Sequence, residues 1–390
     1  MTRSLLVVLA VSVLSGCDST PRAAATLDAQ ASSSTRSVSG ATPGGARDTI
    51  SIEVFAGLIE RVSEEGGFFD TDNLISNETG YLNVVDALVN LGHEGGAYVG
   101  VGPDQNYSYI AHLRPEIAFI TDVRRDNMLH HVLLKALVES SDTPIAFLAA
   151  LHGVDIPAAV SSGSPGIEES VALVDEFAAD VAARGPPLPE ALRARIEGYG
   201  LPLSADDYET IRRFHGEFIR RGLDLRFTTF GRPPRPYYPT YRELVLETDA
   251  DGDLASWLSD PALYDVVRGL HLANRIVPVV GDMSGSSAVR EIGVVLEEMG
   301  LSLTAFYTSN VEFYLWQGRT FDRWVENVAT FPLAANAVVI RSYFPNFGGG
   351  HPSSIPGYYA TQTLQPFATL LGNDFTSYLD LVTRNVVPLR

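Results

Sequence analysis

Seven residues stand where a bare main chain or a polar side chain could meet a small molecule: Gly100, Gly102, Asp104, Asp122, Asp282, Asn310 and Glu312. Gly100 and Gly102 fall at the end of the apolar run that starts at Ala97, and glycine lets a ligand approach the backbone closely. Asp104 completes that turn. Asp122 follows Gly102 by 20 positions, at the end of the next apolar run. An acidic residue at that interval meets ribose hydroxyls in nucleotide-binding folds. Asp282 follows a third run, where it can touch a base or a reacting group, and Asn310 and Glu312 follow a fourth. If the chain is an enzyme, Asp282 or Glu312 is the expected general base, because a carboxylate near a low-polarity cleft can be tuned for proton transfer. Each position also has a plain structural reading. A Gly-x-Gly serves any tight strand-to-helix turn, and Asp282, Asn310 and Glu312 can cap the helices that follow them.

Other chemistries lack their residues. The chain holds no Gly-x-x-x-x-Gly-Lys-Ser/Thr, no Gly-x-Ser-x-Gly and no His-Glu-x-x-His. His130 and His131 are adjacent on an expected helix, so their side chains diverge by about 100°. Asp249-Ala250-Asp251-Gly252-Asp253 reads as an acidic surface turn, and no metal site is expected. Arg124 and Arg125 read as arginines paired within an acidic chain. Tyr237, Tyr238 and Tyr241 lie among prolines and suggest a rigid loop packed on the domain.

Alternating strands and helices must position the seven residues. The pattern predicts strands at Ala97–Val101, Ile117–Thr121, Ile276–Val280, Ser302–Tyr307 and Ala337–Arg341. Helices are expected over Ile52–Glu64, Tyr81–Leu91, Met128–Glu139, Ser286–Met299 and Phe321–Val328. Continuous apolar strands in β-α-β-α order imply an α/β fold with a mostly parallel sheet. Ligands bind such sheets at the carboxyl ends of the strands. From about 153 to 260 the alternation breaks, with helices expected over Glu168–Arg184, Pro189–Tyr199 and Ala205–Arg221 and a Pro- and Tyr-rich loop at Arg232–Tyr241. This section reads as a mainly helical insertion able to cover a site. After Phe344 a Gly- and Pro-rich tail turns helical near Leu364–Leu371 and Tyr378–Arg384.

The stretch Ala97–Glu139, and more loosely Ile276–Arg341, resembles class I methyltransferase-like Rossmann domains. Val99–Asn106, Arg114-Pro115, Ile120–Asn127, Val280-Gly281-Asp282 and Phe306–Glu312 also look like a bacterial protein family with that fold. The resemblance implies adenosylmethionine-type binding, with Gly100 and Gly102 beside the cofactor and Asp122 on its ribose. Tyr98 replaces the acidic residue that usually precedes the glycines, and Asp104 replaces the third glycine. A carboxylate at 104 disfavours a pyrophosphate cofactor and tolerates a sulfonium.

The N-terminus sets the compartment. Arg3 precedes a short apolar run, Leu5–Leu14, which is too short to span a bilayer. The run ends in Leu14-Ser15-Gly16-Cys17, which resembles the lipobox of bacterial lipoproteins. The expectation is a signal peptide over 1–16, lipidation of Cys17 (the single cysteine), a tether over 17–48 and one domain over 49–390. The tether, rich in Ala, Ser, Thr, Gly and Pro, would span roughly 30 Å as a coil. The net charge is −19, or −20 once Arg3 is removed, which argues against nucleic acid and anionic lipid as partners. The expected protein is anchored to a bacterial membrane, faces the extracytoplasmic side and binds a small, nucleoside-like ligand. Adenosylmethionine is made in the cytoplasm, so export weighs against methyl transfer itself. The second expectation is a non-catalytic envelope protein that reuses the fold.

Overall fold

The structure, a computed structural model, describes residues 48–93, 95–161, 163–178 and 185–389. The expected signal peptide, Cys17 and the tether up to residue 47 lie outside the described residues. Among the described residues, no helix is long and apolar enough to cross a membrane.

A mixed α/β fold surrounds a six-stranded, mostly parallel sheet. Its strands are β1 (Ala97–Val101), β2 (Ile117–Asp122), β3 (Ile276–Val280), β4 (Leu303–Ser309), β5 (Leu333–Tyr343) and β6 (Thr361–Pro366). They run in the order β3-β2-β1-β4-β5-β6, and only β6 is antiparallel to its neighbour. The chain moves outward from β1 to β3 and then returns to the other side of β1, so the order reverses between β1 and β4. A crevice opens at such a reversal, beyond the carboxyl ends of the strands.

Residue alternation along the strands builds two cores. Tyr98, Ala118, Ile120, Ala305, Tyr307, Val338 and Ile340 face one core. Val99, Phe119, Val277, Val279, Phe306 and Val339 face the other. The first core is covered by α2 (Val85–Asn90), α3 (Gln105–Leu113), α4 (Arg125–Glu139), α5 (Pro144–His152) and α11 (Pro261–Leu272). The second is covered by α1 (Ile52–Val62), α12 (Ala288–Glu298), α14 (Phe321–Val328), α15 (Phe367–Gly372) and α16 (Tyr378–Thr383). Between α5 and α11 lie α6 (Ala158–Ser161), α7 (Ile167–Ala178), α8 (Glu190–Glu197), α9 (Ala205–Arg221) and α10 (Tyr241–Val245), and α13 (Val311–Gly318) follows β4. The long helix α9 begins with a capping box between Ser204 and Asp207, and it packs on α4.

Several element limits differ from expectation for local reasons. Helix α4 starts at Arg125, three residues before Met128, with Asp126 in its first turn. Tyr81–Val84 is a 3₁₀ turn, and the α-helix begins only at Val85. The segment Thr361–Pro366, expected as loop and helix, is the antiparallel edge strand; the helix begins after Pro366. The helices of the central section pack on α4 and α5, while the loop after α9 reaches the sheet's carboxyl edge.

One buried cation ties the layers together. Lys135 on α4 donates from Nζ to Glu139 (2.6 Å), to Asn274 Oδ1 (2.7 Å) and to the carbonyl of His271 (2.5 Å) near the end of α11. Its ammonium also lies 5.0 Å from both the Phe55 and Tyr199 ring centroids. Burial pushes the Lys135 pKa down, against the pull of Glu139. Glu139 is part-buried, with a side chain 8 % exposed, and also accepts from the Tyr199 hydroxyl at 2.6 Å. Removing one member of a buried pair strands the other charge, at a cost of about 3–5 kcal/mol. Glu139 keeps the exposed Arg195 at 3.5 Å, so Lys135→Met is expected to lower unfolding free energy by about 3 kcal/mol, the low end of that range, read from urea midpoints at pH 7.

Candidate functional site

A cavity of about 310 Å³ lies at the carboxyl ends of β1, β2, β3 and β4, at the reversal of strand order. Its floor comes from the turns after the strands: Gly102 after β1, Asp122 ending β2, Asp282 after β3, and Ser309-Asn310 at the end of β4. Its wall is aromatic. Phe69 meets Tyr314 edge to face at 5.4 Å, and Phe347 stacks on Phe313 at 3.8 Å, with Tyr238 and Tyr359 adding to the lining. Arg232 and Arg235 stand at the rim.

The rim is made by two loops bonded to each other. The Phe230 amide donates to the carbonyl of Asp70 at 2.8 Å, the Thr71 hydroxyl donates to the carbonyl of Thr228 at 2.6 Å, and Arg232 is ion-paired with Asp70. Tyr237 packs on Tyr359 at 4.3 Å, whereas Tyr241 is buried at the start of α10.

The predicted site residues divide. Gly102, Asp122, Asp282 and Asn310 line the cavity. Gly102 adopts φ +86°, a conformation that only glycine takes without strain. Its carbonyl accepts from His131 Nε2 at 2.9 Å, and the other ring nitrogen of His131 faces the Tyr107 hydroxyl at 2.8 Å. A carbonyl can only accept, so Nε2 carries the proton and Nδ1 accepts from Tyr107. Asp122 is gripped by Arg124: Oδ1 accepts from its amide and Nε, both at 2.9 Å, and Oδ2 accepts from Nη2 at 2.7 Å. Each carboxylate oxygen accepts about two bonds, so Oδ2 retains one site for a ligand hydroxyl. Asp282 Oδ1 accepts from the amide and hydroxyl of Ser284, at 2.8 and 3.0 Å, which shapes the turn before α12.

Three of the expected residues are not among those lining the cavity. Gly100 lies inside β1, away from the cavity; a Cβ there would come within 1.9 Å of Asn106 Oδ1, so the glycine makes room for Asn106 and Tyr98. Asp104, just before α3, is absent from the cavity lining, and its Oδ2 accepts from the Tyr241 hydroxyl at 3.0 Å. Burial there pushes its pKa up to about 6. Glu312 is wholly buried, held by Arg341 and by Trp324 Nε1 at 2.9 Å, so it is an internal counter-ion and cannot serve as a base in the cavity. A further carboxylate, Glu64, stands beside the turn that carries Asp282. It accepts the amides of Asp282, Ser287 and Ala288 at 2.7, 3.3 and 3.3 Å and so occupies the start of α12. Arg125 pairs with Asp207, and Asp249 accepts the amides of Asp251 and Asp253, both at 3.0 Å, in an acidic turn.

The residue that sequence reasoning missed is Glu78. It lines the cavity yet is 1 % exposed, and no cation is paired with it among the described residues. Its carboxylate accepts from four neutral groups: the hydroxyls of Tyr307 (2.5 Å), Ser309 and Ser342, and the Gln362 amide (3.4 Å). Burial pushes its pKa up, and these donors pull against the rise. Beside it, Gln105 Nε2 donates to Tyr307 at 3.0 Å, while Gln105 Oε1 is buried without a partner. A ligand donor would satisfy that oxygen. No local signal marks Glu78, which sits in an irregular stretch between α1 and β1.

Comparison with known proteins adds a family. A family model described as a domain of unknown function (DUF7790) matches residues 74–161 and 227–385, which takes in Glu78, all six strands and the rim loop at Thr228–Arg232, and omits α7 to α9 and the rim residues Asp70 and Thr71. No curated protein matches the chain.

The neutral His131 makes the Gly102 turn sensitive to acid. Burial lowers its pKa to about 4. Below pH ~6.5 the unfolded chain takes up a proton that the native state refuses, so this stability is complete above that pH and is lost as pH falls toward 4. The loss reaches roughly 3 kcal/mol, at about 1.4 kcal/mol for each tenfold difference in proton affinity between the two states. His131→Gln removes the titration. The stability gap between wild type and variant is expected to narrow by roughly that amount between pH 7.5 and 4.5 in urea denaturation; a constant gap would refute the assignment.

Proposed function

The chain belongs to this family of unknown function, and on that premise we propose that it binds a small, nucleoside-like ligand in the cleft, using a methyltransferase-like Rossmann domain. The observation that carries the reading is the open cavity at the β1–β4 reversal, with Gly102 and Asp122 on its floor and aromatic rings on its wall. Doubly wound nucleotide-binding sheets share this strand order and bind at this place. Gly102 allows close approach of the ligand to the main chain. Asp122 Oδ2 offers one acceptor to a ribose hydroxyl. Phe69, Tyr314 and Phe347 offer faces or edges to a base. Glu64 at the start of α12 disfavours a pyrophosphate there, which supports a nucleoside over a dinucleotide.

Adenosylmethionine fits this class by resemblance, and the carboxyls of Glu78 and Asp282 tolerate its sulfonium. The open volume supports ligand binding over a fold kept only as scaffold. We further propose export and lipid anchoring through Cys17, on the lipobox-like Leu14-Ser15-Gly16-Cys17, which places the cleft outside the cytoplasm and tied to a membrane. In that compartment binding is a better reading than methyl transfer.

Calorimetry of the purified chain with adenosylmethionine, adenosylhomocysteine and adenosine tests the proposal. Binding of at least one is expected, and Asp122→Asn should weaken it about tenfold, the scale of one hydrogen bond to a charged group. Absence of heat and of thermal shift with all three would remove the nucleoside reading. Labelling cells with radioactive palmitate, with Cys17→Ala as control, tests the anchor.

A further inference from the structure

The end of β4 carries a second chemistry. Ser309 closes the strand, and after Asn310 the helix α13 begins at Val311. The pairing of β4 with β5 slips between Tyr307 and Ser309, leaving Thr308 as an extra residue in the strand. Such a bulge re-aims the side chain that follows it. Ser309 then takes φ +51°, a left-handed conformation that costs a non-glycine residue strain. A serine on a strained strand-to-helix turn presents its hydroxyl at the top of a sheet. Here Ser309 is half-buried and lines the cavity, and its Oγ donates to Glu78 Oε1.

Glu78 is in turn held by other groups. Tyr307, Ser342 and Gln362 all donate to Oε2, which leaves Oε1 aimed at Ser309. A hydroxyl bonded to a base, with the base oriented by further groups, is the arrangement of an activated nucleophile.

We propose that Ser309 is a nucleophile for acyl transfer and Glu78 its general base, acting on a small carboxylic ester that carries an anionic group. Ser309 Oγ attacks the ester carbonyl carbon, and its proton passes to Glu78 Oε1. Main-chain amides at the start of α13 supply donors for the oxyanion. When the tetrahedral carbon collapses, the C–O bond to the alcohol breaks and the alcohol leaves with the proton from Glu78. Water then attacks the acyl-serine. It gives one proton to Glu78, which returns it to Ser309 as the carboxylic acid departs. Arg235 at the rim, held by the Tyr237 hydroxyl, offers a cation to the substrate's anionic end. Tyr307, Ser342 and Gln362 are positioning residues.

This inference goes beyond the nucleoside reading. The two share the cleft, and each can fail alone. The full chain is treated with a small alkyl fluorophosphonate, which forms an Oγ–P bond with loss of fluoride, and intact mass with peptide mapping locates the adduct. One phosphonyl group is expected, on Ser309. Its rate should rise with pH through a single ionisation, fall at least 100-fold in Glu78→Gln and vanish in Ser309→Ala. Hydrolysis of p-nitrophenyl acetate should fall in parallel in both variants. A chain that remains unlabelled at Ser309, or one labelled at a rate independent of pH, overturns the proposal. Should Glu78→Gln fail to fold, the pH profile of the wild-type chain decides. Nucleoside binding without labelling would keep the first reading and remove this one; labelling without nucleoside binding would do the reverse.

Discussion

The carboxyl edge of the sheet depends on the burial of one acid. Glu78 comes from an irregular segment that has no place in the sheet, and its carboxylate reaches β4, β5 and β6 through Tyr307, Ser309, Ser342 and Gln362. Taking a carboxylate out of water costs several kcal/mol unless its lone pairs are filled. Four neutral donors fill them without supplying a compensating charge. The result fastens the segment over three adjacent strands and leaves a basic oxygen at a cavity wall. Three residues after Ser309, Glu312 shows the other solution to the same problem. It is neutralised by Arg341 and closed off behind Trp324, so it holds β5 against α13 and offers nothing to a solute.

This contrast explains which parts of the molecule were legible in the sequence. The strands β1, β2 and β3 were, because a parallel strand buried on both faces is apolar at nearly every position. The strand β6 was not. Thr361-Gln362-Thr363 looks like loop, yet all three side chains are buried: Gln362 donates to Glu78, and Thr361 Oγ1 bonds Ser354 Oγ at 2.9 Å. Gly102, Asp122, Asp282 and Asn310 were found by a rule of topology: the ends of parallel strands converge. The same rule selected Gly100, which lies inside β1, and Asp104 and Glu312, whose side chains are held away from the cavity. Position along the chain places a residue on an edge. The direction of its side chain depends on one turn of backbone, which no spacing encodes.

Glu78 was hidden for a related reason. Its partners lie 229, 231, 264 and 284 positions away, so nothing near it in sequence suggests a buried carboxyl. Ser309 likewise reads as an ordinary strand end until the slip at Thr308 and its left-handed backbone are seen together. Charged groups at the fold's interior divide by whether a counter-ion reaches them. Lys135, Asp122 and Glu312 each have an opposite charge in contact; among the described residues the buried carboxylates Glu78 and Asp104 have none, and of these two only Glu78 lines the cavity.

The linked rim loops carry a consequence for affinity. Asp70, Thr71, Thr228, Phe230 and Arg232 join the two sides of the mouth before anything enters it. Ordering a loop around a ligand consumes binding free energy, at roughly 0.5–1.5 kcal/mol for each side chain immobilised. Here much of that ordering is already complete in the folded chain. The occupant of the cleft therefore meets a surface shaped in advance, and differences in affinity between ligands will report on fit to the Phe69–Tyr314 wall rather than on the work of closing it.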